Sequence, residues 1–180
     1  NLEYWFASGP YRGEIDIERR YGIGLEQVEK YISWYANCPN EVIWIAPDGT
    51  PGIELGFEMD LDGVWIRGFI DAVIQDQDNW QVIVRDNKTG NQPGDDFQLA
   101  VYAVALAEQF GIEKPSHGDY WMGKSGKATY PYDLGEWTRE KVSERFRELE
   151  DNIQAGRFDP DPEPSKCNFC SVALACEFRA

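Results

Sequence analysis

The chain has 180 residues, enough for one domain with a substantial core and too few for two full ones. Its 42% apolar and 14% aromatic content is that of a globular protein, not a disordered one. No apolar run approaches the roughly 18 residues that a membrane span needs. The net charge of −15 works against tight nonspecific binding of a phosphate backbone. Much of the acid falls where solvent exposure is expected, at Glu144, Glu148, Glu150, Asp151, Asp159, Asp161 and Glu163, so the total does not describe a cleft. Asn1 is not followed by a charged stretch and an apolar core of the secretory type, and a cytoplasmic location is expected.

Residues 1–24 carry weak signals. Arg19-Arg20 and then Gly22 and Gly24 suggest a short helix followed by a turn. From Leu25 the apolar spacing is helical, with Leu25, Val28, Ile32 and Tyr35 on one stripe that ends near Cys38-Pro39. Val42–Ile45 reads as a short strand and Pro47-Asp48-Gly49 as a turn. Three strand-like runs follow, 53–61, 64–76 and 80–88. Asp62-Gly63 between the first two is a hairpin signal, and Asp78-Asn79 turns the second into the third. After a loop with Gly90, Pro93 and Gly94, a helix is predicted over 96–110, closed by Gly111. Residues 120–122 and 128–132, split by Gly123–Gly126, suggest another hairpin. Thr138 caps a last long helix with Val142, Phe146, Leu149 and Ile153 at helical spacing, ending at Gly156. A Pro- and Asp-rich connector leads to a cysteine-bearing tail. The order predicts an α/β (α+β) protein, a mixed central β-sheet flanked by helices.

Asp86 and Lys88 alternate onto one face of their strand, and Asp71 stands near the end of the preceding strand, where a hairpin partner can sit beside Asp86. Gly68-Phe69-Ile70-Asp71 ends an apolar strand and the apolar run Val82-Ile83-Val84 leads into Asp86, places where a charge needs a reason. Two carboxylates and the main-chain carbonyl of Asn87 offer hard oxygen ligands for Mg²⁺ or Mn²⁺. A lysine beside them can orient a nucleophile or stabilise the charge of a phosphate undergoing attack.

Cys167, Cys170 and Cys176 form a Cys-x2-Cys-x5-Cys run. In a chain without secretory features, thiolate ligation of a metal is more natural than a disulfide framework. The spacing suits either zinc or an iron–sulfur cluster, each of which needs a fourth ligand. Cys38 is either that ligand or a small buried residue at a helix end.

Taken in order, Gly68-Phe69-Ile70-Asp71, Asp86-Asn87-Lys88-Thr89-Gly90, Gln98–Ala103 and the cysteine run resemble the RecB-like branch of the PD-(D/E)XK nuclease superfamily. That branch includes the RecB and AddB nuclease domains, CRISPR-associated iron–sulfur exonucleases and related phage proteins. The resemblance covers about Ile53 to Arg179. It implies a restriction-endonuclease-like core over 53–157, with an N-terminal helical region over 1–52 and a metal-cluster tail over 158–180, all within one nuclease domain. It implies Asp71 and Asp86 as metal-binding carboxylates, Lys88 as the catalytic lysine, and Gln98 and Tyr102 as a Gln-x-x-x-Tyr pair lining the substrate channel. Glu54 matches a glutamate often found before the Gly-x-x-Asp strand. The cysteines would hold a [4Fe–4S] cluster, with Zn²⁺ as the alternative.

The implied activity is metal-dependent DNA cleavage, as an exonuclease on single strands or duplex ends. The setting would be bacterial or phage-encoded, with a larger recombination, phage or CRISPR-associated complex as a possible partner and no membrane. The alternative is a non-catalytic DNA-binding or assembly subunit with a structural metal centre. Many members carry an upstream histidine as a further ligand. Here the one histidine, His117, is downstream and expected at the surface, while Glu14, Asp16 or Glu18 are the acids available upstream.

Overall fold

A computed structural model describes residues 13–168 and 170–180. The first twelve residues of the expected N-terminal helical region, and Phe169 within the cysteine run, lie outside the described residues. The described residues divide into two compact units, one of residues 26–151 and one of residues 13–25 with 152–180.

The first long element is helix α1 (Glu14–Asn37). It continues through Gly22 and Gly24, so the expected turn there is absent. A glycine weakens a helix by about 1 kcal/mol relative to alanine without ending it, and ion pairs within single turns, Asp16 with Arg19 and Arg20 and Glu26 with Lys30, work the other way. The expected apolar stripe is not the inward face, because Leu25, Val28 and Ile32 are exposed. Of that stripe Tyr35 alone turns inward, joined by Tyr31 and Trp34, with the Tyr31 ring edge-on to Trp121 at 5.0 Å.

The sheet has seven strands: β1 (Glu41–Ile43), β2 (Ile53–Leu61), β3 (Val64–Asp76), β4 (Val82–Lys88), β5 (His117–Met122), β6 (Lys127–Ala128) and β7 (Tyr132–Asp133). The strand order is β1-β3-β4-β5-β6, with β2 also on β3 and β7 also on β5. The expected strand over 42–45 is shorter and shifted. Trp44 and Ile45 leave β1, and Ile45 makes only an isolated bridge to Pro51. The run predicted from Trp80 begins at Val82, because Trp80 itself sits at φ 61 in the turn. The strand over 128–132 divides into β6 and β7. Asp62 (φ 56) and Gly63 (φ 97) form the β2–β3 turn with the two left-handed residues that match strand twist.

Among the described residues, β4 and β5 are the strands that pair in parallel, and helix α2 (Asp96–Phe110) makes the crossover. Leu99 through Leu106 of α2 are all buried, so this helix is apolar on every side over its middle. Gly118 allows its close approach: a Cβ there would lie 2.9 Å from Val84 and 3.1 Å from Leu99. Helix α3 (Arg139–Gln154) follows. Val142 is fully buried and Phe146 packs on Phe97, whereas Leu149 and Ile153 are exposed. Trp121, adjacent to Tyr120 on β5, meets α1 while Tyr120 joins the core around α2. Helices thus cover both faces of the sheet, as expected for a mixed sheet flanked by helices.

In the second unit, Asp16 gives both carboxylate oxygens to Arg19 and Arg20. A one-turn helix α4 (Pro164–Cys167) leads into the cysteine-bearing turns.

Candidate active site

Two strands set the site by diverging. β3 and β4 are antiparallel, and their last registered pair at this end is Ala72 opposite Arg85. One step further the ladder opens. Instead of a backbone pair, the Asp71 carboxylate accepts the Asn87 backbone N–H through Oδ2 at 2.8 Å. Asp86 is 3% exposed and lies on the strand face opposite to that of Arg85. The sequence implied that both acids leave buried strands. That holds for β4, buried from Ile83 to Asp86, but only half holds for β3, where Trp65, Arg67 and Phe69 are exposed and burial begins at Ile70.

Asp86, Lys88, Gln98 and Tyr102 form a closed polar cluster. Lys88 Nζ lies 2.7 Å from Asp86 Oδ2 and donates to Gln98 Oε1 at 2.9 Å. The Gln98 amide nitrogen donates to Asp86 Oδ1 at 2.7 Å and to Tyr102 Oη at 2.9 Å. Tyr102 reaches Asp86 Oδ1 at 3.2 Å. The one-turn spacing of Gln98 and Tyr102 on α2 points both at the acid, so they meet Asp86 and Lys88 rather than facing open solvent. The contact of Lys88 with Asp86 Oδ2 is an ion pair without hydrogen-bond angles, and that buried oxygen has no hydrogen-bond partner.

Burial raises the Asp71 pKa above the usual carboxylate range. The Asn87 N–H opposes this, and the charges of Asp86 and Glu54 add to it. Glu54 itself is exposed, with a left-handed φ of 45. Burial also raises the Tyr102 hydroxyl to about 12, so it is a neutral donor at physiological pH.

Two residues went unnoticed in the sequence. Tyr120 lies beside Asp86 in the β4–β5 register. Its ring underlies Lys88 Nζ at 5.3 Å, and its hydroxyl donates to the Asp95 carbonyl at 2.6 Å. Arg85 is fully buried on the opposite sheet face, where it meets Asp119 at 2.6 and 2.7 Å and Glu41 at 2.7 and 3.0 Å. Although burial alone would lower the Arg85 pKa, the two carboxylates raise it. An arginine directly after the apolar run Val82–Val84 was the one available signal. Nothing local pointed to Tyr120.

Among the described residues no three His, Cys, Asp or Glu side chains converge to hold a metal ion. For Mg²⁺ this is no obstacle, because it typically takes one or two carboxylates and keeps several waters. Asp71, Asp86 with an Oδ2 that has the Lys88 ion pair but no hydrogen bond among the described residues, and the carbonyl of Asn87 have the right chemistry. For the cysteines the result differs. Cys167, Cys170 and Cys176 are free thiols in successive turns, with Cys170 exposed, and they do not form a cage as placed. Cys38 follows α1 in the other unit, where burial and then the Glu41 carboxylate raise its pKa. His117, expected in a surface turn, instead opens β5 and is partly buried, 2.9 Å from the Ser116 hydroxyl.

A mixed sheet flanked by helices thus carries two acids and a lysine at diverging strand ends. The description of the PD-(D/E)XK nuclease superfamily matches residues 35–177, and the chain belongs to that superfamily. Membership implies a metal-dependent nuclease, which in this superfamily generally uses Mg²⁺ or Mn²⁺ and binds DNA. The chain is 57% identical over 180 residues to the Gene 69 protein of Mycobacterium phage D29, covering 98% of this chain and 66% of that protein. It is 51% identical to the Gene 69 protein of Mycobacterium phage L5, covering 98% and 68%. The chain therefore spans about two thirds of the length of these phage relatives. A solved structure described as SSO0001 superimposes with a TM-score of 0.46 at 17% identity, covering 87% of this chain and 69% of that one. A likeness at that level adds nothing to the argument. No helix among the described residues is long and apolar enough to cross a membrane.

Proposed function

We propose that this chain is one RecB-like nuclease domain that hydrolyses DNA phosphodiester bonds as an exonuclease, acting on single strands or duplex ends. The observation that carries this reading is the buried Asp86, joined to Lys88 and Gln98 and set one step from Asp71 at the opening of β3 and β4. Asp71, Asp86 and the Asn87 carbonyl would hold Mg²⁺ or Mn²⁺, with Glu54 adding charge from the side. The ion, when bound, supplies a lowered water pKa and neutralises phosphate charge. Lys88 stabilises negative charge on the attacked phosphate. Gln98 holds the Lys88 ammonium on its carbonyl oxygen and Asp86 on its amide, while Tyr102 fixes the amide from below.

The cysteine tail is assigned a structural [4Fe–4S] cluster with Cys167, Cys170 and Cys176 as ligands, Cys38 as the candidate fourth, and zinc as the competing metal. Its support is the Cys-x2-Cys-x5-Cys spacing; the side chains as placed lack the cage, and no catalytic step runs through it. The phage relatives suit a phage-encoded protein acting in the host cytoplasm, alone or within a larger recombination complex.

The test is anaerobic purification followed by incubation of end-labelled single- and double-stranded DNA with and without Mn²⁺. Metal-dependent shortening from one end supports the reading. Intact DNA under all conditions, from a protein that binds Mn²⁺, overturns it in favour of a non-catalytic subunit.

A further inference from the structure

The outward face of the β2–β3 hairpin carries an arrangement the cleavage chemistry does not use. Along β3, Trp65, Arg67 and Phe69 alternate onto the exposed side, with Trp65 at 73% and Phe69 at 64% exposure. Large aromatic side chains that open to solvent in sequence are a recognition signal when they are clustered, not scattered. Arg67 stands between them, and among the described residues it makes no ion pair or hydrogen bond, even though Glu58 faces it across the hairpin. Among the described residues, other exposed cationic side chains near it are engaged, Arg147 by Asp62 and Lys141 by Glu136, as is the half-buried Arg139 by Asp62. The Phe69 ring lies over Gly56, its cross-strand partner, where a Cβ would stand 3.3 Å from the ring. Gly56, Glu58, Arg67 and Phe69 line an open groove together with Gln109, whose amide donates to the Gly56 carbonyl at 3.0 Å. Phe69 is two residues from Asp71 on the same strand.

We infer that Trp65, Arg67 and Phe69 form a stacking track for single-stranded nucleic acid leading toward the Asp71 end of β3. This rests on the nuclease reading and names the form of its substrate. Same-face residues on a strand are about 6.4–6.8 Å apart, twice the 3.4 Å step of one duplex strand. An unstacked single strand can span that step; a duplex cannot. Aromatic platforms with a cation between them bind bases by their faces, without reading sequence. The acidic neighbours sharpen the choice. Glu58 lies opposite Arg67 and Asp60 opposite Trp65, so phosphate attraction is weak here and base faces must supply the affinity. A duplex keeps those faces inside.

The experiment uses the full chain with fluorescein-labelled oligothymidylate, in chelator so that nothing is cut, and reads anisotropy and tryptophan quenching. Phe69→Ala and Trp65→Ala should each weaken binding about 5- to 150-fold, the size of one lost base stack. Phe69→Trp should bind as wild type and Phe69→Leu should not, which separates stacking from apolar contact. Because both side chains are exposed, circular dichroism and melting should be unchanged. Wild-type affinity in Phe69→Ala and Trp65→Ala overturns the track. So does equal loss of duplex binding, or a change from dimer to monomer in sedimentation with DNA affinity intact, which would assign the face to a protein. The nuclease reading is separated by Mn²⁺-dependent cleavage in the wild-type chain. Cleavage with no effect of these variants sinks the track alone, and track-dependent binding without cleavage sinks the catalytic reading alone.

Discussion

Asp86 is buried, yet one of its oxygens has only a lysine ammonium for company, an arrangement that costs stability and so points to a role in the chemistry. Lys88→Ala and Asp86→Ala are each expected to abolish Mn²⁺-dependent cleavage with an unchanged circular dichroism spectrum; near-wild-type rates in either purified variant would remove them from the chemistry. Gln98 acts through its neighbours. A hydrogen bond to a charged group is worth about 1.5–3 kcal/mol, so Gln98→Ala should slow cleavage roughly 10- to 150-fold. The loss should fall on kcat rather than KM, since the amide grips Lys88 and Asp86; a pure KM effect would show that it binds substrate instead.

Asp71 supplies a pH test with a definite sign. Its pKa is raised in the fold by burial and by neighbouring carboxylates, so the folded chain holds its proton to higher pH than the unfolded chain does. Stability of the metal-free protein should therefore fall as pH rises from the ordinary value near 3.9 through the raised one, and stay lowered above it. Asp71→Asn removes the charge and keeps an oxygen for the Asn87 N–H. In chelator at neutral pH this variant should melt higher than wild type, with the gap closing in acid below that window. Added Mn²⁺ should raise the wild-type melting temperature and leave the variant unmoved. A variant that melts lower at neutral pH would show that the carboxylate is net favourable without metal.

At the scale of elements, β4 carries the site on one face and its own anchorage on the other. Arg85 joins β4 to Glu41 of β1 and Asp119 of β5, fully buried. Removing one member of a buried ion network typically costs about 3–5 kcal/mol because the remaining charges lose their partner. Arg85→Leu should lower unfolding free energy by that amount in urea titration. Here burial raises the Asp119 pKa and Arg85 opposes the shift, so a paired change of Arg85 to Leu with Asp119 to Asn should recover part of the loss. No recovery would mean that Glu41 alone sets the penalty.

At the scale of the whole molecule, the cysteine tail is the least self-sufficient part. Its described residues from Asp159 on are mostly exposed, Leu174 and Val172 among them, so a metal centre is the most direct means of ordering it. Anaerobically purified protein should be brown, absorb broadly near 400 nm and hold about four irons per chain, and Cys170→Ser should bleach it. Cys38→Ser tests the fourth ligand: colour lost assigns it, colour kept releases it. A colourless protein with one tight zinc would replace the cluster and leave the nuclease site untouched.

Much of the fold is legible in the sequence itself. β2 and β3 and the long helix α2 begin and end where alternation, Asp62-Gly63 and Gly111 place them, because those signals act within a few residues. The shared face of Asp86 and Lys88 follows from strand alternation alone, and the one-turn spacing of Gln98 and Tyr102 from helix geometry. Those windows also misled. Leu25, Val28 and Ile32 form a correct helical stripe on the wrong side, since helix period says which residues share a face and not which face meets the sheet. The continuity of α1 through Gly22 and Gly24 was likewise hidden. Tertiary structure decided what local period cannot carry: the parallel β4–β5 register that slides Tyr120 under Lys88, the union of Glu41, Arg85 and Asp119 from three separate strands, and the turn of Gln98 onto the acid–lysine pair. Each joins segments 10 to 78 residues apart in the chain, and only the packed sheet and its crossover helix bring such partners within hydrogen-bond reach.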